Sequence, residues 1–279
     1  MRALGIDPGT GSMDLLLLDD EEVRVVYEES IPRVEITRDP HALIERIEAL
    51  DREYGIDSIA APSGYGVPFN RDAGLEEYIA EATFVHEEDL ARSHQIHGLR
   101  RVMLEVSKRW KNVYYTPGVI HLPTVPAFRK ANKIDMGTAD KIFTVAAALY
   151  SEVDLLGVPV GDASFIVVEA GLAYTSAIAV EAGRIIDGVG GTSGGPGFLG
   201  LGAMDAELAY ALAGIEPRFP RHRLFQGGAS YYAGATSLEE LARKAVMGDP
   251  RGVEAVRMLA ETLVKDVFQL LPVFTVPPK

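Results

Sequence analysis

Close to its start the chain carries two acids, two glycines and two hydroxyls in one short stretch: Asp7-Pro8-Gly9-Thr10-Gly11-Ser12-Met13-Asp14. Leu4-Gly5-Ile6 precedes it and the apolar run Leu15-Leu16-Leu17-Leu18 follows. A carboxylate at the end of a buried strand, followed by small residues, suits a place where Mg2+ and phosphate meet. Glycine lets the main chain approach phosphate oxygens closely, and Thr10 and Ser12 add hydroxyl donors. Mg2+ typically keeps several waters and takes only one or two protein carboxylates. An ordinary β-hairpin with common turn residues accounts for the same stretch without chemistry.

A second cluster has the same layout. Ile166-Val167-Val168-Glu169-Ala170-Gly171-Leu172-Ala173-Tyr174-Thr175 leads into Ser176-Ala177-Ile178-Ala179-Val180. An offset of 162 residues carries Asp7 onto Glu169 and Gly9 onto Gly171. The copy is weaker, because Ala173 stands where Gly11 is in the first turn. Taken alone it reads equally as a simple hairpin. A duplicated strand–turn–strand marks a two-lobed nucleotide-binding architecture.

Two further stretches bear on the same chemistry. Gly188-Val189-Gly190-Gly191-Thr192-Ser193-Gly194-Gly195-Pro196-Gly197 has six glycines in ten residues. Ordering so many glycines costs conformational entropy, which a ligand-facing loop would explain and a flexible surface loop would also fit. In Asp135-Met136-Gly137-Thr138-Ala139-Asp140-Lys141, Thr138 is a natural N-cap and Asp140 complements the helix dipole. The alternative reading makes Asp135 or Asp140 a general base or a metal partner. None of the six histidines has metal-ligand spacing. His94 and His97 suit a solvent-facing helix, whereas His121, with Arg129 in the same Pro-punctuated loop, suits an anionic substrate.

The elements that must position these residues follow from pattern. Strands are expected at 2–7, 13–19 and 22–31, with a helix from Asp39-Pro40 to about Glu53 that buries Leu43, Ile44, Ile47 and Leu50. A strand over 57–63 ends in a loop with Gly64, Gly66 and Pro68. A helix over 87–110 and a strand over 112–116 follow. The segment from Thr116 to Lys133 reads as loop. After a helix from Thr138 to about Tyr150 come strands at 163–170, 174–181 and 184–187. The last helices are expected at 202–213, 237–247 and 250–271.

Composition bounds the function. At 279 residues the chain suits two lobes. A net charge of −13 argues against a nucleic-acid surface, but not against a nucleotide held by backbone N–H groups. The absence of cysteine removes disulfides, thiolate metal sites and thiol nucleophiles. No signal pattern and no membrane-length apolar run is visible, so a cytoplasmic protein is expected, without a membrane partner.

Gly5-Ile6-Asp7-Pro8-Gly9-Thr10-Gly11-Ser12 resembles the first phosphate motif of the ASKHA superfamily, which holds acetate and sugar kinases, heat-shock chaperones and actin. Lys133 to Lys141 resembles its first connecting motif. Val168-Glu169-Ala170-Gly171, continuing to Gly191, resembles its second phosphate motif. More narrowly, the chain looks like an archaeal family labelled as predicted butyrate kinases. The resemblance runs over essentially the whole chain.

It implies an α/β fold of two ribonuclease-H-like lobes, 1–135 and 136–279, with Mg2+ and ATP in a cleft between them. Asp7 and Glu169 would serve the metal. Gly9, Thr10, Gly11, Ser12, Gly171, Thr175, Gly190, Gly191, Thr192, Gly194 and Gly195 would serve the nucleotide. Asp7, Asp135 and Asp140 are the catalytic candidates, and His121 and Arg129 the substrate candidates. The implied activity is an ATP-dependent small-molecule kinase, with a short-chain carboxylate as acceptor and a homodimer as one assembly.

Two departures stand against this. The second motif has Glu169 where Asp is usual. The late strand that holds adenosine is missing, although Leu224-Phe225-Gln226-Gly227-Gly228-Ala229-Ser230 has its look earlier in the chain. Either a shortened C-terminal lobe or a reduced nucleotide site would follow. The alternative function is therefore a non-catalytic nucleotide-binding or scaffold protein. The lack of cysteine argues strongly against a third function, an ATPase activator with a Cys-bound inter-subunit cluster.

Overall fold

The structure, a computed structural model, describes residues 1–21, 24–67, 94–215 and 221–278. The chain divides into two compact units. One is Met1–His121 with Thr138–Asp140, and the other is Leu122–Gly137 with Lys141–Lys279. The expected boundary at 135/136 falls inside the first segment of the second unit.

The first unit is built on a five-stranded sheet. Its strands are β1 (Arg2–Asp7), β2 (Ser12–Asp19), β3 (Arg24–Pro32), β4 (Ser58–Ala60) and β5 (Val113–Tyr114), in the order β3-β2-β1-β4-β5. The first three are antiparallel, while β4 runs parallel to both β1 and β5. Along β2, Met13, Leu15 and Leu17 are fully buried while Leu16 and Leu18 are exposed. The four-leucine run is thus split between faces by the period-two alternation of a strand.

Helix α1 (Arg33–Arg38) leaves β3 directly. Helix α2 (Pro40–Tyr54) starts where Asp39 accepts a hydrogen bond from the His41 N–H, and stops at Gly55, whose φ is 73°. Its buried residues are the four expected from spacing, Leu43, Ile44, Ile47 and Leu50. They share one core with Val102, Met103 and Val106 of helix α3 (His94–Arg109). His86, Pro68, the start of the helix expected from residue 87, and the side chains of His94 and His97 lie outside the described residues. So do residues 22–23 of the third strand.

The second unit opens with a 3-10 turn at Ala127–Lys130. Helix α4 (Ala139–Leu156) carries the chain from the first unit into the second at Lys141. A three-stranded antiparallel sheet follows: β6 (Phe165–Ala170), β7 (Thr175–Glu181) and β8 (Arg184–Val189), in that order. Helix α5 (Ala206–Ile215) is apolar but has no buried residue. The short helix α6 (Ala229–Ala233), α7 (Leu238–Val246) and the long α8 (Pro250–Leu270) complete the unit. The glycine-rich stretch expected to resemble an adenosine strand is no strand: Gly228 opens α6. The buried face of α8 carries Gly252, Ala255, Thr262, Asp266 and Leu270, spaced at helical period. No described helix is long and apolar enough to cross a membrane.

The two antiparallel meanders repeat each other in register. Asp7 pairs with Asp14, and 162 residues on, Glu169 pairs with Ser176. The register slips between Leu17 and Leu18 in one sheet and between Ala179 and Val180 in the other, again 162 apart. A Cβ added at Gly9 would lie 3.2 Å from the Ser12 carbonyl, and one at Gly171 would lie 3.3 Å from the Tyr174 carbonyl.

Candidate functional site

At the first turn, Asp7 ends β1 in the exposed class, opposite Asp14. Residues directly opposite in an antiparallel pair put their side chains on the same face. Ser12 Oγ donates to Asp14 Oδ2 at 3.1 Å, while Asp14 Oδ1 is buried and has no hydrogen bond. An unsatisfied buried carboxylate oxygen beside a second carboxylate is costly, and a cation relieves it. The donor chemistry at this turn therefore fits a divalent cation. Among the described residues no group of three or more His, Asp or Glu side chains converges as a metal cage.

Arg33, the first residue of α1, was not singled out from sequence. Its N–H donates to the Gly11 carbonyl at 2.9 Å and its Nη1 to the Gly9 carbonyl at 3.3 Å. Burial lowers its pKa, and the negative charge of Asp7 opposes that shift. The guanidinium thus grips the carbonyl side of the turn within the field of Asp7. Six residues of mixed type, Arg-Val-Glu-Ile-Thr-Arg, are too short to show a helical period, so no pattern signals that a cation is delivered here.

The second turn copies the backbone and not the chemistry. The Gly171 N–H donates to the Tyr174 carbonyl at 2.9 Å. Glu169, the expected second metal ligand, has both carboxylate oxygens engaged by α4. Lys141 Nζ pairs with Oε1, and Thr144 Oγ1 donates to Oε2 at 2.8 Å. Thr175, expected to reach a phosphate, is only 4% exposed and its Oγ1 is buried without a hydrogen bond. It faces inward, towards α8.

The glycine-rich loop is packed against side chains of its own unit. Asp135 is 6% exposed. Its Oδ1 accepts from the Gly137 N–H at 3.0 Å, and its Oδ2 accepts from both the N–H and the hydroxyl of Thr192, each at 3.0 Å. Ser193 Oγ donates to the Asp135 carbonyl at 2.8 Å. A Cβ at Gly190 would lie 1.9 Å from Asp135 Oδ1, so only glycine fits there. Gly191 abuts the Tyr174 ring, Gly194 the Asp266 carboxylate and Gly195 the Thr262 hydroxyl. Close approach accounts for these glycines, where the sequence had suggested exposure to a ligand. Asp135, expected as a base, has its carboxylate consumed in holding this loop.

The remaining candidates are placed as follows. Asp140 sits half-buried in the first turn of α4 and is counted with the first unit. His121 is exposed at the end of a 3-10 turn in the first unit, and its Nδ1 accepts from the Gly118 N–H at 3.2 Å. Arg129 belongs to the second unit and is committed to β8. Its Nη1 donates to the Ile186 carbonyl at 2.9 Å, and its Nε lies 3.6 Å from Asp187 Oδ2. That correction has a plain cause: the loop around Arg129 packs on the sheet.

Asp266 on α8 is the other residue missed. It is 1% exposed, and its Oδ2 has no hydrogen bond. Burial pushes its pKa up, against the Gly195 N–H and the Thr175 hydroxyl, which favour the charged form. The signal was available: an acid on the apolar stripe of an amphipathic helix.

The fold is that of acetate and propionate kinases. An acetate kinase from Porphyromonas gingivalis matches 96% of this chain and 79% of its own, with a TM-score of 0.62 and 17% identity. A propionate kinase from Francisella tularensis matches 98% of this chain and 81% of its own, at TM-score 0.68 and 14% identity. An acetate kinase from Entamoeba histolytica matches at TM-score 0.61 and 11% identity, over 98% of this chain and 79% of its own. No curated protein matches in sequence. These likenesses place the chain in the actin-like ATPase fold. In sequence it belongs to the family described as a protein of unknown function, DUF1464, whose model matches residues 5–275.

Proposed function

We propose that the chain is an ATP-dependent kinase of small molecules, with a short-chain carboxylate as acceptor in the manner of a butyrate kinase. One observation carries the reading: Asp7 and Asp14 share a face at the first turn, with one buried carboxylate oxygen unsatisfied and Arg33 gripping the turn's carbonyls. Its support is the fold of kinases whose names specify acetate and propionate.

In this reading Asp7, with Asp14 beside it, holds Mg2+. When bound, the ion neutralises charge on the nucleotide's phosphates and on the group in transfer. Gly9, Thr10, Gly11 and Ser12 offer main-chain and hydroxyl donors to phosphate. Arg33 uses the carbonyls of the turn and so does not compete for those donors, of which the Ser12 hydroxyl already reaches Asp14 Oδ2. A carboxylate acceptor is already anionic at neutral pH and needs alignment rather than a base. The engagement of Asp135 is compatible with that chemistry.

A second reading, nucleotide binding without transfer, is favoured by Glu169, whose oxygens are taken by Lys141 and Thr144. Trapping acyl phosphate with hydroxylamine separates the two. Incubation with Mg-ATP and acetate, propionate or butyrate should yield hydroxamate in proportion to ADP. Saturable Mg-ATP binding with no hydroxamate from any acid would leave the binding reading in its place.

A further inference from the structure

Helix α8 has two apolar sides, and among the described residues only one is covered. The covered side carries Gly252, Ala255, Thr262, Asp266 and Leu270. The other side carries Val253, Val256, Ala260, Val264, Phe268 and Leu271, all of them exposed. Phe268 is 65% exposed and Val264 55%. Leu271 caps the helix with helical dihedrals, so it continues the row. From Val253 to Leu271 is 18 residues (271 − 253 = 18), or five turns of 3.6 residues. The row therefore runs straight down the helix for about 27 Å. A surface helix buries one apolar stripe and turns charge to water, so a second stripe of this length marks an interaction face.

The spacing says what fits that face. Steps along the row are 3, 4, 4, 4 and 3 residues, the same in both directions. A second copy of α8, turned end for end about the level of Thr262, brings Val253 opposite Leu271, Val256 opposite Phe268 and Ala260 opposite Val264. In each layer a smaller side chain meets a larger one, which is how close-packed interiors interdigitate. Such a twofold also sets like edges of the two helices side by side. One edge of the row carries Arg257, Glu261 and Lys265, with Glu261 paired to both cations on its own helix. In the helix pair, Glu261 lies within two residues of level with Lys265 of the second copy. Arg257 lies within one residue of level with its Phe268, where a guanidinium can rest on the ring. The whole chain carries −13, which repels a second copy, but this edge has two cations and one acid.

We propose that a second copy of this chain docks on the exposed row of α8, forming an antiparallel, twofold-symmetric helix pair. The row with its charged edge offers several hundred Å2, on the order of the ~800 Å2 per copy of a standard interface. The proposal goes beyond the kinase reading and stands without it.

Sedimentation equilibrium of the full chain tests it. The unaltered protein should be a dimer at about 10 μM, within the micromolar-to-picomolar range of standard-sized interfaces. Val264→Glu lies at the centre of the row and away from the covered side, so circular dichroism should show the fold intact. It should weaken dimerisation at least ~100-fold, because each copy would bury an unpaired carboxylate. The register has its own test, since the chain has no cysteine and introduced ones report without background. Ala260→Cys mixed with Val264→Cys should form an intermolecular disulfide at least ~10-fold faster than either variant alone, because only the mixed pair is level. A folded chain that stays monomeric well above the stated concentration would overturn the proposal and leave the row to a different protein. A dimer untouched by Val264→Glu, or cross-linking no faster in the mixture, would overturn it too.

Discussion

The two acid-bearing turns have one backbone and two chemistries. Register, bulge position and glycine clearance agree at an offset of 162 residues. Yet Asp7 ends its strand exposed, with an unsatisfied Asp14 oxygen beside it, while Glu169 is bound at both oxygens by the helix behind it. Geometry here does not dictate role. What the neighbouring helix delivers decides it: α1 brings Arg33 to the carbonyls of the first turn, and α4 brings Lys141 to the acid of the second.

The comparison breaks most visibly on removal of the acids. Asp7→Ala should weaken Mg-dependent nucleotide binding roughly 100-fold or more, about 3 kcal/mol, with the fold intact by circular dichroism. Glu169→Ala binding that fell equally far would show that the second turn is as open to ligand as the first.

Next in size is Gly190→Ala, which drives a Cβ into Asp135 and its hydrogen bonds. It should cost about 2–3 kcal/mol of stability in urea denaturation, since overpacking a filled site is expensive. A loss under ~0.5 kcal/mol would mean that the loop yields easily and is shaped for a ligand after all.

Glu169→Gln should cost only about 1 kcal/mol, because the Lys141 pair is partly exposed and screened. Its nucleotide affinity should change less than tenfold. The smallest effect sharpens the comparison at the far end of the hairpins. Ala182 has φ 51° and Gly183 has φ 69°, a two-residue turn of the type that favours Asn-Gly. Ala182→Asn should gain about 0.5–1 kcal/mol in thermal unfolding, by relieving a left-handed alanine.

Much of this frame was legible in the sequence. Asp39-Pro40 fixed the start of α2, and the spacing of Leu43, Ile44, Ile47 and Leu50 fixed its buried face, because both are local rules. The internal repeat was legible because strand pairing preserves offset. Arg33 was not, since a six-residue helix shows no period and its partner carbonyls lie about twenty residues earlier. The glycines of the 188–197 loop were misread for a related reason. A missing side chain looks the same in sequence whether a ligand or an aspartate fills the space. Asp266 was hidden among charged neighbours, although its place in the 3.6-residue stripe betrayed it.

The shared register slip has one more consequence. Side chains alternate along a strand, so an extra residue reverses inside and outside for everything beyond it. Both meanders keep that slip at the same place, yet four residues separate Asp19 from Arg24 and only two separate Glu181 from Arg184. The stretches that join these strands are therefore where the repeat accepts a change of length, while the slip itself is held fixed. A single residue deleted at Leu17-Leu18 would instead turn the rest of its strand inside out.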